Sequence, residues 1–132
     1  MGLKTTDLRI GNYIYGVSDR VELISAVHEN GLTTKTPHFD DYHTDIIKYY
    51  KPIPLTEEWL INFGFLQSMA LTNYWSEDEE MNIFVYNEVI HYVIPLDHDG
   101  NFWKIKKLEY VHNLQNLYFA LTGKDLTHQK IN

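Results

Sequence analysis

Cysteine is absent, so disulfide frameworks, thiolate nucleophiles and cysteine-based zinc sites are excluded together. Glycine is sparse and dispersed, with 7 residues, and proline contributes only 4. The chain therefore has no phosphate-cradling glycine motif and no Pro/Gly-rich linker. No apolar run approaches the roughly 18 residues of a membrane span, and Met1 to Arg9 lack the apolar stretch of a secretion signal. Positive charge is in deficit: 11 Lys+Arg stand against 18 Asp+Glu, a net of −7. Nucleic-acid and anionic-membrane binders begin with a basic surface, so neither class of partner is expected. With 132 residues, 44% of them hydrophobic, the chain reads as one cytoplasmic α+β domain over residues 1–132.

The charge is unevenly spread. Five basic residues oppose seven acidic ones from Met1 to Tyr50, one opposes nine from Lys51 to Trp103, and five oppose two from Lys104 to Asn132. Residues 7–51 read as β-rich and barrel-like. A short run at Asn12–Tyr15 precedes a strand from Arg20 to Val27, whose two faces are both partly apolar. Asn30-Gly31 predicts a two-residue turn to Leu32–Thr36, because both residues tolerate positive φ. A further strand is predicted over Asp45–Tyr50, closed by Pro52 and Pro54.

Residues 52–126 read as helix, meander and helix. Thr56 is a good N-cap, Glu57 and Glu58 favour the helix dipole, Leu55 can staple onto Leu60, and Gly64 stops the helix after about two turns. Antiparallel strands are predicted at Met81–Tyr86, Val89–Ile94 and Phe102–Lys107, with turns at Asn87-Glu88 and Asp97–Gly100. In the last strand Trp103 and Ile105 are expected inside, and Lys104 and Lys106 outside. Leu108, Val111, Leu114, Leu117, Tyr118 and Leu121 recur at helical spacing and end at Gly123, predicting an amphipathic C-terminal helix with Asn113, Asn116 and Ala120 opposite. The last six residues are expected to fray.

Three stretches carry a resemblance: Asp7 to Tyr13 (DLRIGNY), Pro52 to Leu60 (PIPLTEEWL) continuing into Phe63-Gly64-Phe65, and Tyr110 to Gly123 (YVHNLQNLYFALTG). Together they resemble a family of short uncharacterised proteins of gut bacteria and their phages and mobile elements. The resemblance implies a bacterial, intracellular origin and assigns no residue a chemical role. The opening Leu8 to Ile14 is also similar to the first strand of small barrels of the Src-homology and Tudor type.

No catalytic constellation stands out, and the reading leans away from an enzyme and names no cofactor. Within residues 38–45, His38, Asp41 and His43 are the candidate ligands of a metal-dependent hydrolase. Imidazole and carboxylate groups bind divalent ions, but the ligands do not share one strand parity, and a solvated polar loop accounts for them. Asp97–Gly100 lacks the twelfth-position Glu of a calcium loop, so it reads as a hairpin turn. His91 and His112 read as hydrogen-bonded structural histidines that could meet between helix and sheet. The 10 tyrosines exceed what a small core encloses with every hydroxyl satisfied, and Tyr is enriched at interfaces. The leading expectation is thus a non-enzymatic interaction or adaptor module, with a protein partner or self-association. Tyr42, Tyr49, Tyr50 and Tyr74 and the acidic run Glu77, Asp78, Glu79 and Glu80 form its contact surface. The alternative is a weak nucleic-acid-associated module using Lys104, Lys106 and Lys107.

Overall fold

The computed structural model describes residues 3–37, 39–70, 72–97 and 99–129. The architecture is α+β, with two antiparallel sheets and few helices. The first sheet runs in sequence order through β1 (Tyr13–Tyr15), β2 (Val21–Val27), β3 (Gly31–Lys35) and β4 (Tyr42–Ile46). Both faces of β1 are buried, as the doubly apolar sequence requires. Ile14, Ile24 and Leu32 form a small core with Leu8 and Tyr50, while Tyr13, Tyr15, Val21 and Leu23 face the main core.

The described residues of 7–51 contain an open four-stranded sheet and no closed barrel, so the barrel-like expectation is not confirmed. β1 has only three residues, and its outer side is already occupied. Tyr15 exchanges main-chain hydrogen bonds with Lys51 at 3.0 and 3.1 Å, and the Tyr13 N–H donates to Gln115 Oε1 at 2.9 Å. The hairpin between β2 and β3 is also one residue out of the predicted register. His28 N–H donates to the Gly31 carbonyl, so Glu29 and Asn30 make the turn and Gly31 belongs to β3. There a Cβ would collide with the carbonyl of Asp45, so glycine is required by close backbone approach. The predicted strand at 45–50 gives way to β4 over 42–46, followed by a 3₁₀ turn at Ile47–Tyr49.

The second half begins with α1 (Glu57–Asn62), capped as predicted: Thr56 Oγ1 accepts from Trp59 N–H at 3.4 Å. A five-stranded meander follows: β5 (Leu66–Gln67), β6 (Asn73–Trp75), β7 (Asn82–Tyr86), β8 (Val89–Pro95) and β9 (Phe102–Lys107). Tyr74, Ile83, Val85 and Ile90 on its inner face pack with Leu60 and Phe63 of the α1 region. They also meet Val111, Leu114 and Tyr118 of α2 (Val111–Thr122). At the start of α2, Asn113 Oδ1 accepts from the Tyr110 N–H at 3.0 Å. Gly123 ends the helix at φ 75°, a left-handed position that suits glycine.

Asn87 and Glu88 both hold positive φ, 50° and 65°, the signature of a type I′ turn, and Tyr86 pairs directly with Val89 across it. Glutamate is strained there. Glu88→Gly is therefore expected to raise stability by about 0.5–1 kcal/mol, glycine's own entropy cost having been subtracted. Urea unfolding will read this as a higher midpoint at unchanged slope.

Two expectations for the C-terminal third are corrected. Tyr92 pairs with Lys106 but Val93 with Lys104, leaving Ile105 as a bulge residue. Lys104 and Lys106 therefore fall on opposite faces, and Trp103 and Ile105, expected inside, are exposed at 62% and 48%. The described part of the tail is docked instead of frayed. Gln129 N–H donates to the Asn62 carbonyl at 2.8 Å, His128 N–H donates to Tyr13 Oη at 3.1 Å, and Leu126 is buried. Lys130 to Asn132 lie outside the described residues.

Candidate functional site

Two open sheets have four edge strands, and three of them are closed by identifiable means. β1 is covered by Lys51 and Gln115 as described. β5 is only two residues long. β9 carries Lys104, Lys106 and Lys107 and a bulge, devices that oppose strand addition by charge and twist. Among the described residues β4 has none of these. It is five residues long, Tyr-His-Thr-Asp-Ile, with no lysine and no proline, and every residue except half-buried Asp45 is exposed.

The orientation of its main chain follows from the ladder to β3. Ile47 N–H donates to the Asn30 carbonyl at 2.8 Å and Thr36 N–H to the Asp41 carbonyl at 3.4 Å. Antiparallel alternation then turns Asp45 and His43 inward onto Leu32 and Thr34. The N–H and C=O groups of Tyr42, Thr44 and Ile46 face the open side. Cavities flank the strand. One of about 540 Å³ is lined by His43 and Asp45 with Val17, Glu22, Tyr49 and Tyr50. Another of about 500 Å³ is lined by Thr44 and Ile46 with Gly31 and Tyr49.

Beneath the first cavity, Glu22 is buried on β2 and accepts a hydrogen bond from Thr34 Oγ1. Its carboxylate sits so closely over Gly16 that a Cβ there would collide with it. On the opposite face, Thr44 Oγ1 and Thr33 Oγ1 lie 2.8 Å apart, and His28 Nε2 is 2.8 Å from the latter. The Thr33–Thr44 contact ties β4 to β3 on that face, and no described residue is bonded along its outer edge.

Of the four tyrosines expected at a contact surface, Tyr42, the first residue of β4, and Tyr49, just beyond its end, are exposed at 54% and 48%. Tyr50 and Tyr74 are buried and correct that expectation. Tyr50 donates its hydroxyl to the Leu32 carbonyl at 3.2 Å and belongs to the small core; desolvation pushes its pKa up. Tyr74 donates to Glu57 Oε1 at 3.0 Å and accepts from Gln67 Nε2 at 2.8 Å. Burial and the Glu57 bond together raise it to about 12.

The acidic run divides. Glu77, Glu79 and Glu80 are exposed, but Asp78 is a structural anchor. Its carboxylate accepts from Tyr118 Oη, from Ser76 Oγ at 2.7 Å and from the Glu80 N–H at 3.1 Å, and Lys124 Nζ lies 3.5 Å away. The Tyr118 hydrogen bond leads in holding this carboxyl well below the usual range.

The lysine stripe is also split. Lys104 lies over the Phe84 ring at 5.7 Å, Lys107 is 3.8 Å from Glu109, and Lys106 lines a cavity beside α2. His91 pairs with Phe84 on the outer face of the second sheet, away from α2, so it does not meet His112. Burial lowers the pKa of both histidines, with Lys104 and Lys107 adding to the effect at His91. His112 stacks on Tyr110 at 5.8 Å, and its Nδ1 makes no hydrogen bond among the described residues.

In the 38–45 cluster, His43 Nε2 lies 3.3 Å from Asp41, and His38 falls outside the described residues. Among the described residues no three His, Asp or Glu side chains are grouped to hold a metal ion, and no helix is long and apolar enough to cross a membrane. What sequence reasoning missed is the strand itself: a run exposed on both faces has no burial period to betray it. Comparison with family models, curated proteins and solved structures finds no match to this chain.

Proposed function

We propose that this chain is a non-enzymatic protein-interaction module that works by strand addition at β4. One observation carries the reading: among the described residues, β4 alone of the four sheet edges is longer than two residues and without a cap, a lysine guard or a bulge, and its outward amides and carbonyls have cavities on either side. An added strand gains affinity from main-chain hydrogen bonds and specificity from side chains alternating into pockets on the two faces. Tyr42 and Tyr49 supply the aromatic contact area that such interfaces favour.

The likeness to short proteins of gut bacteria and their phages extends the proposal to a bacterial cytoplasmic setting. A nucleic-acid role draws less support, because Lys104, Lys106 and Lys107 do not form one patch and Lys107 is already paired.

Thr44→Pro tests the reading. The Thr44 N–H points away from β3, so proline removes an outward donor while sparing the internal ladder. Sedimentation of the purified chain, and of the labelled chain in extract of its host, will show associated species for the parent. The proline variant is expected to lose them while melting within a few degrees of the parent. Unchanged association in a folded variant overturns strand addition at β4.

A further inference from the structure

Residues 42–46 read as their own complement. In an antiparallel pairing of two β4 strands centred on Thr44, Thr44 faces Thr44, Tyr42 faces Ile46, and His43 faces Asp45, twice over by symmetry. We propose, building on the strand-addition reading, that the strand added to β4 is β4 of a second copy of this chain. The product is a two-fold dimer with one continuous eight-stranded sheet.

Each element of the match is present in the single chain. The outward main-chain groups belong to Tyr42, Thr44 and Ile46, and these are the residues that the Thr44-centred register places in hydrogen-bonded pairs, giving about six intermolecular bonds. His43 and Asp45 then occupy the non-hydrogen-bonded pairs, where side chains approach most closely and an imidazole N–H can donate to the facing carboxylate. Asp45 makes no ion pair with any described residue, while His43 already lies 3.3 Å from Asp41 of its own chain. The same pairing sets Tyr42 of the second copy against Ile46, at the mouth of the 500 Å³ cavity formed with Thr44 and Tyr49. It thereby covers two large apolar side chains now 54% and 47% exposed.

Such a contact is isologous, so it closes at two copies and cannot propagate into a fibre. A register shifted by one residue in either chain would turn the hydrogen-bonding groups away, and a shift of two would lose the His43–Asp45 match. The strand's composition thus favours one pairing over its neighbours.

A charge exchange tests this directly. His43→Asp places two Asp residues opposite each other across the interface, and Asp45→Lys places Lys opposite His43. Each variant alone is expected to dimerise at least about tenfold more weakly than the parent in sedimentation equilibrium, because the first opposes two carboxylates and the second removes the carboxylate that faces the imidazole. Mixed together, the two variants restore Asp–Lys and His–Asp pairs, and the mixture is expected to recover a heterodimer of near-parental affinity. Both positions are exposed or half-buried, and thermal melting will confirm that each variant folds. A parent that stays monomeric from micromolar to millimolar concentration overturns the second copy as occupant but leaves strand addition to be judged by Thr44→Pro with a different partner. A parental dimer that neither charge variant weakens, or variants that do not rescue one another, place any dimer on another surface and also overturn the proposal.

Discussion

Replacing Gln115 by leucine is expected to lower the unfolding free energy by roughly 3–6 kcal/mol, the largest single-residue effect outside the apolar core. Gln115 is 2% exposed and sits in the middle of the buried stripe of α2. Its Oε1 accepts from the Tyr13 N–H at 2.9 Å, and its Nε2 donates to the carbonyls of Gly11 at 2.9 Å and Leu126 at 3.2 Å. One side chain therefore joins the N-terminal segment, the outer side of β1 and the C-terminal tail. Leucine has nearly the same volume but leaves three main-chain groups without partners, each costing about 1–3 kcal/mol when buried. Against a total stability of about 5–15 kcal/mol, the variant is marginal or unfolded at 37 °C. Urea titration of parent and variant reads the loss as a shift in midpoint. A loss below about 1 kcal/mol would mean that water replaces the amide, which the enclosed position of Gln115 argues against. The substitution also bears on the proposed interface, since it frees the Tyr13 N–H and bares β1. A surviving fold should then associate less selectively than the parent.

That glutamine also shows where the sequence is legible and where it is not. The caps and apolar spacing of α1 and α2, and the alternation in β7, β8 and the start of β9, are local signals, and the structure follows them. β5 and β6, with two and three residues, are too short to carry a period. The Ile105 bulge shifts one residue and so puts Lys106 on the face opposite Lys104, against the expected alternation. Gln115 is visible only as a polar residue inside an apolar stripe, a mismatch that resolves when the three carbonyl and amide partners arrive from distant parts of the chain. β4 is the hardest element to see. A strand buried on neither face has no hydrophobic period, so its polar run reads as loop, and the property that hides it is the same one that leaves its edge open. The close approach of Gly31 to Asp45 is a tertiary fact of the same kind: it removes the Asn30-Gly31 turn and draws β4 alongside β3.

Asp78→Asn is expected to cost about 2–3 kcal/mol near neutral pH, the scale of hydrogen bonds to a charged group, and to lower the melting temperature by roughly 6–12 °C. The carboxylate ties the 76–80 turn to the end of α2 through Tyr118 Oη, Ser76 Oγ, the Glu80 N–H and Lys124. Its pH dependence has a definite sign. The folded state keeps Asp78 ionised to lower pH than the unfolded chain does, chiefly through the Tyr118 hydrogen bond. The stability it contributes is complete above the ordinary carboxylate range near pH 4 and declines as pH falls below it. Tyr118 carries the alkaline counterpart. Desolvation, reinforced by Asp78, raises its pKa to about 12, so the folded state holds that proton more tightly, and the stability it adds is present below about pH 10 and lost as pH rises toward 12. Melting curves from pH 2.5 to 9 should therefore show the gap between parent and Asp78→Asn widest on a plateau above about pH 5 and narrowing as pH falls below about 4. A gap that is constant across that range would assign the loss to packing alone and remove the charge from the account. If the gap follows the predicted shape while the sedimentation of the variant matches the parent's, Asp78 is a fastening of the second sheet. The acidic run then offers Glu77, Glu79 and Glu80 to solvent, and the association proposed at β4 does not depend on Asp78.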